Sequence, residues 1–415
     1  MVEICTDINS VRLRYAAEQL FAPVPVRWCQ HKADLNHPEK AIFYATSETG
    51  FFVVPTSPRN WTDATFEYSA QPQDWNSRAI QAPLDLDVFE LTFYLLARVD
   101  EYLNPQSDDH GRVIPDGFIQ QKWMGLDVAY LDEIRKRWLR HIGVEDVLVP
   151  QCALTIDVDS AFAFSHKGWK RALGGLGKDL LHFNLTNLQE RLATWAGMKR
   201  DRFDTYDYLM DQSKTHQWDL TFFFLLSDFE GQNIGLPHHS AGLRLLIQRV
   251  QEAASVGIHP GYHNWNEDAE RTAMEIQRLK DILGGKVQLS RQHFLRMRLP
   301  ETYRLLSSLG IQQDFSMGMA TDVGYRAGTS RPFLWFDYPQ NTISALTVVP
   351  FWGMDSAIKR HKEWSPEEAK NRISLARQYI AEIGDWRMIW HNETVCDERE
   401  WAGWRAVFEQ QFKSI

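Results

Sequence analysis

From about residue 150 onward, short apolar runs alternate with amphipathic segments of ten or more residues, and each run closes on a charged or polar side chain. The runs end at Asp157 with Asp159, Asp228, His259 with His263, Arg291, Asp314, Asp355 and His391. Strands separated by helices of that length imply parallel β/α units. Seven such runs favour a barrel over an open sheet, because groups at the carboxyl ends of different barrel strands converge on one mouth. An open doubly wound sheet that binds a nucleotide needs a glycine-rich turn after its first strand; here that strand, 152–157, leads into Asp-Val-Asp. The glycine-bearing stretch 171–180 lies well past it and is a weak match to a phosphate loop.

At 415 residues, 44% of them hydrophobic, the chain is too long for one compact domain of ordinary size. The expected division is a smaller α+β domain over 1–148 and an α/β barrel over 149–415. In the first part, AIFYATSETGFFVVP (41–55) reads as a hairpin around Ser47-Glu48-Thr49-Gly50. Residues 84–103 read as a helix starting near Asp85 or Asp87, and 129–143 as a helix ending at Gly143. The polar stretch 104–112 holds Asp108, Asp109 and His110, whose residue types suit a loop better than a metal site.

Net charge is −9 with no Lys/Arg block, so neither nucleic acid nor an anionic membrane surface is indicated as a partner. The four cysteines are far apart and form no CxxC pair, which reads as reduced thiols in a cytoplasmic protein. No secretion signal opens the sequence, and no run approaches the roughly 18 apolar residues of a membrane span. Oligomeric state is left open.

Three groups suggest metal-assisted hydrolysis: Thr155-Ile156-Asp157-Val158-Asp159, His259-Pro260-Gly261-Tyr262-His263 and Trp390-His391-Asn392. One carboxylate with two imidazoles suits a divalent cation and leaves positions for water and substrate. The expected ligands are Asp159, His259 and His263, the two histidines four residues apart on a turn entering a helix. Asp157 is then free as general base, with Arg291 or Arg296 holding it by charge-assisted hydrogen bonds. His391 is the candidate acid, with Asp314 fixing its proton.

In this order the motifs resemble those of polysaccharide deacetylases with NodB homology, carbohydrate esterase family four. The match runs through the Asp-x-Asp, the HxxxH, an Arg-containing strand end (SRQHFLR), Asp-Phe-Ser and a last strand ending in His, over about 150–415. The resemblance implies a distorted (β/α)7 barrel binding a divalent metal, zinc first with cobalt or nickel as other candidates, and removing N- or O-acetyl groups from a carbohydrate. It assigns Asp157 as base, Asp159, His259 and His263 as ligands, Arg291 or Arg296 as tether and His391 as acid. The first motif is Asp-Val-Asp, as in the branch resembling peptidoglycan deacetylases and allantoinase-like enzymes. The second begins His-Pro, and the last reads WHNE. Residues 1–148 resemble an uncharacterised domain that precedes such barrels.

Aromatic side chains from Tyr262 and Trp265 to Phe351 and Trp352 are candidates to grip sugar rings. YRAGTSRPFLWF (325–336) is the best substrate loop, with Arg326 and Arg331 either meeting an anionic group or forming structural ion pairs. The alternatives are hydrolysis of another C–N bond, a non-catalytic carbohydrate-binding barrel, and a two-histidine, one-carboxylate iron oxygenase, against which the spare carboxylate Asp157 argues.

Overall fold

The computed structural model describes residues 1–44, 52–54, 87–103, 105–123, 125–266 and 268–413. It is a mixed α/β structure built on two sheets. The first has the order β2-β1-β3-β4, from β1 (Val2–Thr6), β2 (Val26–Cys29), β3 (Ile42–Tyr44) and β4 (Phe52–Val54), all parallel. Every residue of β1 is buried, as expected of a parallel strand covered on both faces. The helix Val11–Phe21 packs against Val88–Leu96 and Tyr130–His141.

Two expectations change here. Residues 42–44 and 52–54 pair in parallel, Ile42 opposite Phe52, and do not form a hairpin. Apolar runs specify that strands form but not their mutual direction; the turn-prone 47–50 lie outside the described residues, as does Asp85. The helix expected over 84–103 is two, Val88–Leu96 and Val99–Leu103, separated where Arg98 takes φ +56°. Asp87 fixes the start, its carboxylate accepting from the amides of Phe89 (3.1 Å) and Glu90 (2.9 Å).

The second sheet holds β5 (Cys152–Val158), β6 (Asp219–Leu225), β7 (Ser255–His259), β8 (Leu289–Ser290), β9 (Gln313–Asp314), β10 (Phe333–Asp337), β11 (Thr342–Val348) and β12 (Trp386–His391). Its order is β10-β11-β9-β8-β7-β6-β5-β12, with only β10 antiparallel to its neighbour. The chain leaving β11 then runs beside β12. Trp352 N donates to the Arg387 carbonyl and Ile389 N to that of Gly353, each at 2.9 Å. That bonding joins the two ends of the seven parallel strands into a barrel. Helices lie between successive strands from β5 to β9 and between β11 and β12, and their ends follow local chemistry: Asp268 caps Ala269–Leu283, Ser365 caps Pro366–Ile380, and Gly284 ends the former at φ +67°.

One cluster of buried side chains runs from Val2 to Phe412 and includes both sheets. The segment 325–336, read above as a substrate loop, lies at this junction. Its Arg326 pairs with Glu101 (2.6 Å) and its Arg331 with Asp132 (2.8 Å), both across to the N-terminal region. Phe315, Tyr325, Phe333, Trp335, Phe336, Phe351 and Trp352 are buried, so they form core and not a sugar platform. The Trp265 side chain lies outside the described residues. All four cysteines are free thiols, and no described helix is long and apolar enough to cross a membrane.

Candidate metal centre

Strand register levels the functional ends. His391 lies opposite Asp157 on neighbouring strands, His259 opposite Leu225, and Ser290 opposite Ile258. Gly257 makes this possible inside the barrel: a Cβ there would meet the Phe223 ring at 2.6 Å and the Leu289 carbonyl at 2.9 Å. Phe223 in turn lies under the Arg291 guanidinium, 4.5 Å from ring centroid to Cζ.

Asp159, His259 and His293 place one potential ligand atom each within 4.8 Å of one another. His259 Nε2 is 3.2 Å from Asp159 Oδ1, and His293 Nε2 is 3.3 Å from Asp159 Oδ2. The far ring nitrogens are fixed: His259 Nδ1 donates to the Arg291 carbonyl (2.6 Å), and His293 Nδ1 to Asn233 Oδ1 (3.3 Å). Each ring in its neutral form therefore turns an Nε2 lone pair toward Asp159, as metal-binding histidines do when the far nitrogen donates to a carbonyl. Asp159 Oδ1 is buried and accepts no hydrogen bond. A carboxylate oxygen facing an imidazole nitrogen at that distance needs a cation or a second ring proton between them, and the donor set of two imidazoles and one carboxylate fits zinc-like divalent ions.

The electrostatics of the three groups differ. Burial alone would raise the Asp159 carboxyl, but the imidazoles of His293, His259 and His391 hold it well below the usual carboxylate range. Burial pushes His293 down despite Asp159. For His259 burial is outweighed by Asp157 and Asp159, and its value is raised.

His263 is not in this cluster. His259 is still in β7, and 260–261 are irregular before the short turn Tyr262–Asn266, so helical i, i+4 geometry does not apply. Its ring packs instead beside Tyr262. His293 takes the third place from a turn after β8 in which Phe294 and Leu295 have φ +60° and +54°. The His293 amide is tied to the Pro260 carbonyl (3.2 Å), which locks the two turns together.

Asp157 is buried and receives Arg291 Nη1 on Oδ1 at 2.8 Å. Its Oδ2 accepts no hydrogen bond from the described residues and lies 3.8 Å from His259 Nε2. Arg291 also donates to the Phe315 carbonyl (3.0 Å). Arg296, the other tether candidate, donates to the carbonyls of His110 and Tyr262 and does not reach Asp157. Asp314 is likewise elsewhere, buried under hydrogen bonds from Ser290 Oγ (2.7 Å) and the Ser316 amide (2.9 Å).

The carboxylate at His391 is Asp355. It accepts His391 Nδ1 at 2.8 Å, the His391 amide at 2.7 Å and Thr394 Oγ1 at 2.5 Å. Asp355 arrives there because the chain after Gly353 closes the barrel against β12, whereas Asp314 is separated from β12 by that closing segment. Burial opposes a charged His391, but Asp355 prevails and its pKa is pushed up to about 10. Its Nε2 lies 3.8 Å from Asp159. Asp228, by contrast, is exposed and paired with Arg278 (2.9 Å).

Asp157, Asp159, His259, His293 and His391 line one pocket of about 330 Å³. Phe294, Leu295, Met354 and Trp401 supply apolar wall, Arg360, His361 and Glu393 polar wall, and Arg112 comes from the N-terminal region. His110 reaches the same mouth, its Nδ1 2.9 Å from the Tyr262 hydroxyl. Sequence reasoning missed His293, Arg112 and the pairing of Asp355. The signal for His293 was its place two residues past Arg291 at a strand end.

Residues 2–141 match a family model described as a family of unknown function, DUF7033. No curated protein matches the chain. Among solved structures, the chain is similar to a polysaccharide deacetylase from Bacillus cereus, at 12% identity over 64% of this chain and 86% of that one, with a TM-score of 0.32. It is also similar to the CE4 domain of a multidomain xylanase from the hindgut metagenome of Trinervitermes trinervoides, at 11% identity over 64% and 82%, TM-score 0.32. A CE4 family pseudoenzyme from Bacillus anthracis matches at 12% identity over 63% and 62%, TM-score 0.30.

Proposed function

We propose that this chain is a metal-dependent hydrolase that removes an acetyl group from an acetylated carbohydrate. The observation that carries the hydrolase reading is the state of Asp157. It is buried and oriented through Oδ1 by Arg291, with Oδ2 left unbonded in the same pocket as the Asp159, His259 and His293 trio. A structural carboxylate at that depth would have both oxygens satisfied. The ordered motifs set out above support acetyl and sugar as the substrate chemistry.

Asp159, His259 and His293 would hold the cation, which when bound supplies a Lewis acid for the scissile carbonyl and acidifies a water. Asp157 Oδ2 takes the proton from the attacking water, with Arg291 preventing the carboxylate from turning away. His391, protonated and held by Asp355, has its Nε2–H 3.8 Å from Asp159 Oδ2 and gives that proton to the departing amine or alkoxide. Phe294, Leu295 and Trp401 reduce the water around the reacting groups.

The test is acetate release from acetylated chitooligosaccharides and peptidoglycan fragments, with zinc or cobalt added or chelated, for wild type, Asp157→Asn and His259→Ala. Metal-dependent release that both substitutions abolish is the expected result. Bound metal at one per chain with no acetate from any acetylated sugar would overturn the substrate; ammonia or a ring-opened ureide released from cyclic amides would then identify another C–N hydrolase. Release unaffected by Asp157→Asn would overturn the mechanism.

A further inference from the structure

Between β5 and β6 the chain leaves the barrel as a helical hairpin, Trp169–Leu181 and Leu185–Trp195, whose polarity is inverted. Its buried side chains are charged: Asp179, Glu190 and Arg191, with Arg191 Nε 2.7 Å from Asp179 Oδ2 and Glu190 meeting Lys199, Arg202 and Arg399. Many of its exposed side chains are large and apolar. Of the twenty large hydrophobic residues exposed among the described residues, nine fall within 169–198. Phe183 and Leu181 at the tip are 86% and 79% exposed, Met198 77% and Trp169 70%. A soluble helix pair ordinarily buries such residues against each other or the core, so this face is shaped for an apolar environment outside the chain.

Charge decides which environment. Residues 166–202 hold eight Lys and Arg against three Asp and Glu in a chain of net −9; Lys199 and Arg200 are paired with Glu398, Asp204 and Asp207 outside that stretch, so the excess is carried by the helix bearing Lys170 and Lys178. Lys170 and Lys178 are exposed along the same helix as Trp169 and Leu181. Apolar and aromatic side chains beside basic ones on a short helix are the composition of a segment that lies in the interface of an anionic bilayer. A second copy of the chain would set exposed Lys170 and Lys178 against their own counterparts.

The patch also leads to the pocket. Arg171 donates to the carbonyls of Gly235 (2.7 Å) and Ile234 (2.9 Å) and lies over exposed Phe229, while Ile234 lines the pocket. We propose that the hairpin docks on an anionic lipid surface and holds the pocket mouth next to it. The inference stands on this surface alone and does not need the hydrolase reading.

The experiment is co-sedimentation of the full chain with vesicles of phosphatidylcholine alone or mixed with phosphatidylglycerol, in low and high salt. Binding is expected to the anionic vesicles and to weaken with salt. Leu181→Asp with Phe183→Asp should lower partitioning on the order of a hundredfold, since each large apolar side chain contributes about tenfold to interfacial transfer. An unchanged melting temperature shows that variant to be folded, and Lys170→Glu with Lys178→Glu, which replaces no apolar residue, should lower binding and flatten its salt dependence. No binding to anionic vesicles at low salt, or equal binding by the Asp variant, overturns the proposal. So does a wild-type dimer in solution that the Asp variant converts to monomer, which would make the hairpin a self-association face.

Discussion

Two buried arginine–carboxylate pairs in this molecule look alike in composition and differ in what they leave open. Glu101 accepts Arg326 on both oxygens, at 2.8 and 2.6 Å, and Arg98 as well at 2.8 Å. Asp157 accepts Arg291 on one oxygen only, and its other oxygen faces a pocket. The first pair joins the N-terminal region to the barrel and has no lone pair in a useful direction. The second keeps one. Burial and pairing are therefore common to structural and chemical ion pairs, and the unoccupied acceptor separates them.

That contrast can be broken most sharply at Asp157. Asp157→Asn keeps an oxygen for Arg291 and should cost about 10²–10⁴ in kcat, the range for removing a general base, while metal content stays at that of wild type. Steady-state rates with metal analysis on the same preparation check this, and retained activity would make the pair structural like its counterpart. Glu101→Ala is the mirror experiment. It leaves two arginines facing each other without their carboxylate, and should lower unfolding free energy by about 3–5 kcal/mol in denaturant titration, while activity per folded molecule changes little.

A smaller effect is expected with pH. Against the opposing influence of burial, Arg326 and Arg98 hold the Glu101 carboxyl at about 2. Its folded value is thus below its unfolded one, so the pair's stabilisation is complete above the ordinary carboxylate range and is lost as pH falls through that range toward about 2. Glu101→Gln should flatten that part of the acid unfolding curve. At the mouth, Asp355→Asn removes the charge that raises His391, so the alkaline limb of activity should move to lower pH. The smallest effect belongs to His263→Ala: metal content and kcat should remain within a factor of about two, because the side chain lies off the cluster. Loss of the metal in that variant would restore His263 as a ligand.

The parts of this arrangement that the sequence made legible are those governed by periodicity. Apolar runs marked strands, and charged residues just past them marked the mouth, so Asp157, Asp159, His259, Arg291 and His391 could be named together. What was not legible depends on irregular backbone or on which strands become neighbours. His293 sits on a turn with two residues at positive φ after a strand of only two residues. His263 looked equivalent to a ligand only under helical spacing, which the Pro260-Gly261 turn does not obey. Choosing Asp355 over Asp314 required knowing that the segment after β11 closes against β12. The hairpin's inverted polarity escaped because scanning for basic blocks registers neither the local excess of charge nor the side of a helix that is covered.

Arg112 and His110 carry a consequence of another kind. They stand in the part of the chain that precedes the barrel, yet Arg112 forms pocket wall and the His110 carbonyl receives Arg296 from the strand-end turn. The two halves are thus not interchangeable modules: grafting this barrel behind a different leader, or excising it at residue 149, would alter the shape a substrate meets without touching any residue of the chemistry. Under the proposed function, substitutions at Arg112 or His110 would change selectivity while the strand ends stay as they are.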